Sequence, residues 1–208
     1  MHDAGTMKIL SILAHPRSDS FCHAVSELAR AALAAAGHEI AHHDLYAERF
    51  DPCLSADEAY TVGDTLQGAL SRAADPVVAR HRAEISTTDA LLVVHPNWWG
   101  KPPAILAGWL DRVLVPGVAY RLAAADGLPE GLLSVRRALI LNTSDTPAER
   151  EQADFGDPLD LIWRNCVLPF CGVTSSQRRV FRPVVGSPDA KREEWLRETE
   201  ALCRTFFA

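Results

Sequence analysis

Two continuous apolar runs, KILSILA over residues 8–14 and ALLVV over residues 90–94, each stop at the same dipeptide, His15-Pro16 and His95-Pro96. A strand that is apolar at every position must be covered on both faces, and that is the situation of a parallel sheet flanked by helices. The rest of the chain supplies the helices. After Ser20, a natural N-cap, Phe21, Val25, Leu28, Ala29 and Ala32 recur at helical spacing, and Gly37 closes the segment. Ile105, Leu106, Trp109, Leu110, Val113 and Leu114 mark one face of a helix opened by Pro102-Pro103. Helices are also predicted over 76–85, 157–167 and 189–207. Strands are predicted over 39–45 and 138–141, with a last one inside 173–185. Residues 46–75 are polar and broken by Asp and Gly, which predicts loops with a short helix. Five strands separated by helices predict an α/β fold, a doubly wound five-stranded parallel sheet of order 2-1-3-4-5.

At 208 residues and 48% hydrophobic content the chain suits one such domain, 1–208, with residues 1–6 as a tail. The net charge of −6 comes with scattered basic residues, so nucleic acid is not an expected partner. No apolar run reaches the roughly 18 residues that span a bilayer, and the first residues lack the pattern of a signal peptide. The expectation is a cytoplasmic protein without membrane insertion. Cys22, Cys53, Cys166, Cys171 and Cys203 contain no C-x-x-C pair, so they read as buried thiols, and no metal is expected.

In a sheet of this order ligands bind beyond the carboxyl ends of strands 1 and 3. The first of these ends runs into His15-Pro16-Arg17-Ser18-Asp19-Ser20-Phe21, where the free amides of a helix start favour a phosphate; an ordinary capped helix would look the same. The second runs into His95-Pro96-Asn97-Trp98-Trp99-Gly100, where two adjacent tryptophans offer a wall for a planar ring, or simply core packing. Strand 4 ends in Thr143-Ser144-Asp145, hydroxyls and amides suited to a polar ring edge or to a turn. The chain has no G-x-G-x-x-G after strand 1, no G-x-x-x-x-G-K-[ST] and no G-x-S-x-G elbow around Ser20 or Ser144.

The motifs LAHP-x-x-x-SF up to Phe21, DLY at Asp44 to Tyr46, and HPNWWGKPPAILAGWLDRVLVPGVAY from His95 to Tyr120 resemble the flavodoxin-like NAD(P)H dehydrogenases (quinone) and related NAD(P)H-dependent flavin oxidoreductases. The resemblance covers most of the chain and implies a flavodoxin-like fold. It implies FAD, with FMN as the alternative, and NAD(P)H as co-substrate. The expected activity passes hydride through the flavin to a quinone or a similar small acceptor. Carried over residue by residue, it implies His15, Ser20, Phe21 and Cys22 near the flavin phosphate and ribityl chain. It implies Pro96, Asn97, Trp98, Trp99 and Gly100 along the ring, and Thr143, Ser144 and Asp145 at its polar edge. Tyr120 and Phe170 would line the acceptor pocket, no residue would be an obligate acid or base, and the protein would be a homodimer.

One departure bears on mechanism. Relatives place a tyrosine and a histidine beside the ring, whereas here no Tyr or His lies between Pro147 and Asn165, and Arg150 is the cation expected in their stead. The resemblance also leaves open a flavin-binding regulatory subunit of a potassium-efflux system, a one-electron flavodoxin-type carrier, and a domain that has lost its cofactor.

Overall fold

In the computed structural model, residues 5–59, 65–72, 75–122 and 129–208 are described. Residues 1–4 of the expected tail lie outside them. The first apolar run forms β1 (Lys8–Leu13), and the segment capped by Ser20 forms α1 (Phe21–Ala35). β2 (Glu39–Asp44) leads into residues 46–75, which contain a 3-10 turn (Ala56–Glu58) and α2 (Leu66–Arg72). α3 (Pro76–Ile85) starts with Asp75 accepting from the Val77 N–H and with proline in its first turn. β3 (Ala90–Pro96) and α4 (Ala104–Val113) follow. A hairpin of β4 (Tyr120–Leu122) and β5 (Pro129–Gly131) precedes β6 (Arg137–Thr143), β7 (Ser175–Phe181) and α5 (Asp189–Phe206).

The main sheet is five-stranded and parallel in the order β2-β1-β3-β6-β7. β4 and β5 form a separate antiparallel pair, which the sequence reading did not foresee because three-residue strands carry no periodicity. Alternate residues of each central strand enter different cores. Leu10, Ile12, Leu91, Val93, Ala138 and Ile140 pack with Val78, Ile85, Leu106, Trp109 and Val113 on the α3/α4 side. Ile9, Leu13, Leu92, Val94, Leu139 and Leu141 pack with Val25, Ala29 and Leu33 of α1 and with Trp195 and Cys203 of α5. Burial on both faces is what the unbroken apolar runs require.

Three readings of the sequence need correction. The His95-Pro96 pair does not end β3 but completes it, in register with Asn142 and Thr143, and His95 is fully buried. Two of the five cysteines, Cys53 and Cys166, are exposed. The helix expected over 157–167 runs on, from α-helical Pro158–Asp160 through a π-helical stretch, Leu161–Val167, to Leu168–Phe170. The Leu168 N–H bonds to Trp163 O, five residues back, and this wider turn accommodates Pro169, which has no N–H and would crowd the carbonyl four residues before it in a regular helix.

A buried charge cluster anchors the 46–75 excursion. Glu58 accepts from Arg112 Nη2 at 2.6 Å, and Arg82 Nη2 lies 3.7 Å from its other oxygen. Both guanidiniums also donate to carbonyls, Arg82 to Ala69 and Arg112 to Asp51. Among the described residues no helix is long and apolar enough to cross a membrane.

Candidate active site

The carboxyl end of β1 delivers the chain to the start of α1. Ser20 caps that helix, its Oγ accepting from the His23 N–H and lying 3.0 Å from His23 Nδ1. His23 Nε2 is 3.1 Å from Asp44 Oδ2, and Asp44 Oδ1 accepts from the amides of Tyr46 and Ala47. A carboxylate only accepts, so His23 donates to Asp44 from Nε2, which leaves Nδ1 beside the Ser20 hydroxyl. Asp44 thereby closes the turn of the DLY motif and orients the imidazole at the helix start. His15, half-buried, accepts from the Arg17 N–H at 3.1 Å, and burial lowers its pKa. Phe21 turns toward Phe181 and Trp195, with ring centroids at 5.9 and 5.7 Å. Cys22 is buried with its Sγ 3.2 Å from Thr143 Oγ1, and burial pushes the thiol up to about 12. At this end His15 and Ser20 are available to a ligand through their side chains, and Cys22 is not.

β3 delivers a tight turn. Trp98 and Lys101 exchange backbone hydrogen bonds, each 3.2 Å, around Trp99 at φ 58° and Gly100 at φ 69°. Two successive positive φ values are the pattern of a type I′ hairpin, which disfavours a bulky residue at its first centre. Trp99 nevertheless sits there, 97% exposed, while Trp98 is 37% exposed with its ring 5.9 Å from that of His15. Asn97 Oδ1 accepts from the Gly100 N–H and holds the turn closed. Gly100 lies so close to the start of the helical stretch over 158–170 that a Cβ would come within 2.6 Å of Pro158 Cγ.

Asn97, Trp99, Gly100, Thr146, Glu151, Phe155 and Pro158 enclose a cavity of about 490 Å³. It lies between the tryptophan turn and the segment after β6, and its size is ordinary for a cofactor or substrate site. Thr143 and Ser144, both buried, form the floor of this strand end; the Ser144 N–H donates to Phe181 O and Ser144 Oγ accepts from the Thr146 N–H. Asp145 is exposed and its carboxylate is committed to the amides of Val184 and Val185.

A polar chain runs from the core to this cavity. His95 donates from Nδ1 to Pro96 O, and its Nε2 accepts from Trp163 Nε1 at 3.0 Å and Asn142 Nδ2 at 2.8 Å. Burial lowers its pKa to about 4, so the ring is a neutral bracket for the end of β3. Asn142 Oδ1 accepts from Arg178, which pairs with Asp157 at 2.8 Å. Arg182 stands 3.9 Å from both Asp157 and Glu151, and Glu151 accepts from Asn97 Nδ2. Arg150, expected as the cation here, instead pairs in solvent with Asp154 and covers the ring of Phe155.

Tyr120 and Phe170 meet edge to face at 4.6 Å, but they line a different, apolar groove with Leu54, Leu110, Leu114 and Cys166. The helical stretch that begins at Pro158, in the lining of the Trp99 cavity, reaches Cys166 and Phe170, in the lining of this groove, so it runs from one to the other.

Among the described residues, one set of metal-ligating types converges, His43, Glu48 and His81. The Trp109 N–H donates to His81 Nδ1 at 2.9 Å, which fixes the imidazole proton on Nε2, facing Glu48. A metal on Nε2 would leave that ring without a proton, so the set is a hydrogen-bonded cluster, completed by His43 between Glu48 and Glu84.

The model of a family with the flavodoxin-like fold matches residues 7–203. The chain belongs to this flavodoxin-like family. It is 28% identical over 214 residues to NAD(P)H dehydrogenase (quinone) 1 of Rattus norvegicus, covering 94% of this chain and 77% of the relative. An NAD(P)H:quinone oxidoreductase from Methanothermobacter marburgensis superimposes with a TM-score of 0.77 at 24% identity, covering 96% of each chain. An FMN-dependent NADH-azoreductase from Bacillus anthracis, solved with FMN, has a TM-score of 0.70 at 13% identity, covering 97% of this chain and all of that one. The two structural likenesses show the shared fold.

Within this flavodoxin-like frame, sequence reading missed Glu151, Phe155 and Arg182. Glu151 sits in AERE, a run indistinguishable from a solvated helix face. Arg182 follows a strand whose Arg178 pairs with Asp157 and whose Arg179 pairs with Glu198, and only the fold brings it to Glu151.

Proposed function

We propose that the chain is a flavin-dependent NAD(P)H oxidoreductase whose acceptor is a quinone or a similar small molecule. The observation that carries this reading is Trp99, an exposed indole held in a left-handed turn over a cavity at the strand ends. Backbone outliers of this kind cost on the order of 1–3 kcal/mol and persist at ligand sites. The residues fit a flavin. The start of α1 with Ser20 and His15 suits its phosphate, the Trp98-Trp99 turn suits its ring, and Thr143, Ser144 and Thr146 offer hydroxyls and amides at the polar edge. The relatives named NAD(P)H dehydrogenase (quinone) and the FMN-bound neighbour support the same chemistry.

When bound, the flavin supplies the centre that accepts and returns hydride. The chain's own part is positional. Asn97 closes the turn through the Gly100 amide, Gly100 lets it lie against Pro158, and Trp99 would form the wall for a planar ring. His95 and Asn142 fix the strand end from which the turn departs.

A homodimer is part of the proposal. Tyr120 and Phe170 lie in a groove distinct from the cavity of their own chain, and each lining carries an exposed aromatic side chain, Phe170 in the groove and Phe155 in the cavity. A second copy would bring that groove over the Trp99 cavity. Five unpaired cysteines suit a reducing compartment, the cytoplasm.

Steady-state kinetics test the activity. NAD(P)H oxidation by the flavin-loaded protein should give parallel double-reciprocal lines when quinone is varied, because both substrates use one pocket in turn. Absence of turnover with every quinone and azo acceptor would overturn it.

A further inference from the structure

Glu151 is the one titratable side chain lining the Trp99 cavity among the described residues. It is 2% exposed, and both of its oxygens lie 3.2 Å from Asn97 Nδ2. The cation facing it is Arg182, at 3.9 Å, outside hydrogen-bond range, and Arg182 Nη1 is buried without a hydrogen-bond partner. Behind Arg182 stand Asp157, Arg178 and Asp160; Asp157 is 3.9 Å from Arg182 and 2.8 Å from Arg178, which is 3.6 Å from Asp160. On Glu151's own helical stretch, Arg150 and Asp154 pair with each other in solvent and leave it alone.

A buried carboxylate is stable when its charge is met by close hydrogen-bonded cations. Glu151 has one shared amide donor and a guanidinium held at arm's length, whereas Asp157 takes the close contact with Arg178. Its charge is therefore incompletely met, and any negative charge arriving in the cavity adds to the imbalance. Protonation relieves it, and the Asn97 amide and the cavity leave an oxygen positioned to hold that proton.

We propose that Glu151 is the proton-holding group of this pocket, taking up a proton when the pocket is reduced and passing it to the acceptor. The inference rests on the flavin-dependent reading above. NAD(P)H gives up a hydride, which is two electrons and one proton, while conversion of a quinone to its hydroquinone consumes two electrons and two protons. The second proton comes from solvent. Glu151 binds it at a carboxylate oxygen as the pocket gains charge and returns to the ionised form when the proton passes to the acceptor oxygen.

The test is the midpoint potential of the bound flavin as a function of pH, in the wild-type protein and in Glu151→Gln. One proton taken up per electron pair shifts the equilibrium tenfold per pH unit, about 30 mV. Above neutral pH the wild type should fall by about 60 mV per pH unit, two protons per pair, and Glu151→Gln by about 30 mV. The curves should converge on acidification, with the variant the more positive at alkaline pH. Glu151→Asp, which keeps a carboxyl, should keep the steeper slope. Parallel wild-type and Gln curves overturn the proposal. Should the Gln variant not fold, the wild type alone decides, since uptake of a single proton per pair above neutral pH also overturns it. Failure of the wild type to bind flavin removes the functional reading itself, whereas bound flavin with parallel curves removes only the role of Glu151.

Discussion

Replacing Trp99 by glycine separates a residue held for function from one held for stability. Trp99 is 97% exposed, so its truncation removes almost no buried area. Its φ of 58° is the left-handed conformation, which costs an L-residue with a Cβ roughly 1–2 kcal/mol and costs glycine nothing. Against this stands the greater backbone freedom of glycine in the unfolded chain, roughly 0.5–1 kcal/mol. The net change is a stability equal to wild type or higher by about 1 kcal/mol, where truncating a core tryptophan would cost about 3–5 kcal/mol. Flavin affinity should move the other way, because an aromatic contact contributes about 0.5–1.5 kcal/mol beyond its buried area; a loss of about tenfold is expected. Urea unfolding without flavin gives the first quantity and a fluorescence titration with flavin the second. A loss of more than about 2 kcal/mol in unfolding free energy would show that the indole packs in the fold, and unchanged affinity would remove it from the site.

Other consequences follow from the same structure. Glu58→Ala leaves Arg82 and Arg112 buried without their carboxylate and should cost about 3–5 kcal/mol in urea unfolding; a cost under about 1 kcal/mol would mean that the cluster is solvated. Gly100→Ala combines a left-handed φ with a Cβ 2.6 Å from Pro158 Cγ, so it should cost about 2–4 kcal/mol and weaken flavin binding, and a neutral result in both assays would refute the close approach. His95, held near a pKa of about 4 by burial, binds a proton in the unfolded chain before it does in the folded one. Stability is therefore full above the ordinary histidine value of about 6.5 and should fall by up to about 3 kcal/mol as pH drops toward 4, and in His95→Gln that part of the slope should vanish. An identical slope in the variant would mean that other groups carry it.

The fold was legible because its central strands are apolar at consecutive positions, a pattern that only two-sided burial explains, and because the helices carry caps and faces in plain view. The exposure of the tryptophan turn was legible for a similar reason, since two adjacent indoles between Pro-Asn and Gly cannot both enter the core. Other features were hidden by distance in the chain. His95 looks like the loop residue His15 from its neighbours, and becomes a core bracket only because Trp163 and Asn142 arrive with nitrogen donors. Glu151 looks like any acid in a polar helix until the end of β7 brings Arg182 beside it and β3 brings Asn97. The separation of Tyr120 and Phe170 from the Trp99 cavity depends on the length of the intervening helical stretch, whose continuation past Val167 through a π turn has no sequence periodicity to announce it.

The central claim, that the strand-end cavity holds a flavin which NAD(P)H reduces and a quinone reoxidises, is tested most directly by the absorption spectrum. The protein is loaded in turn with FAD and FMN, treated anaerobically with NADH or NADPH, and then given a quinone. The account predicts a protein-bound flavin spectrum that bleaches on addition of the nicotinamide and returns on addition of the quinone. A protein that binds neither flavin, or binds one that no reduced nicotinamide bleaches, would contradict it.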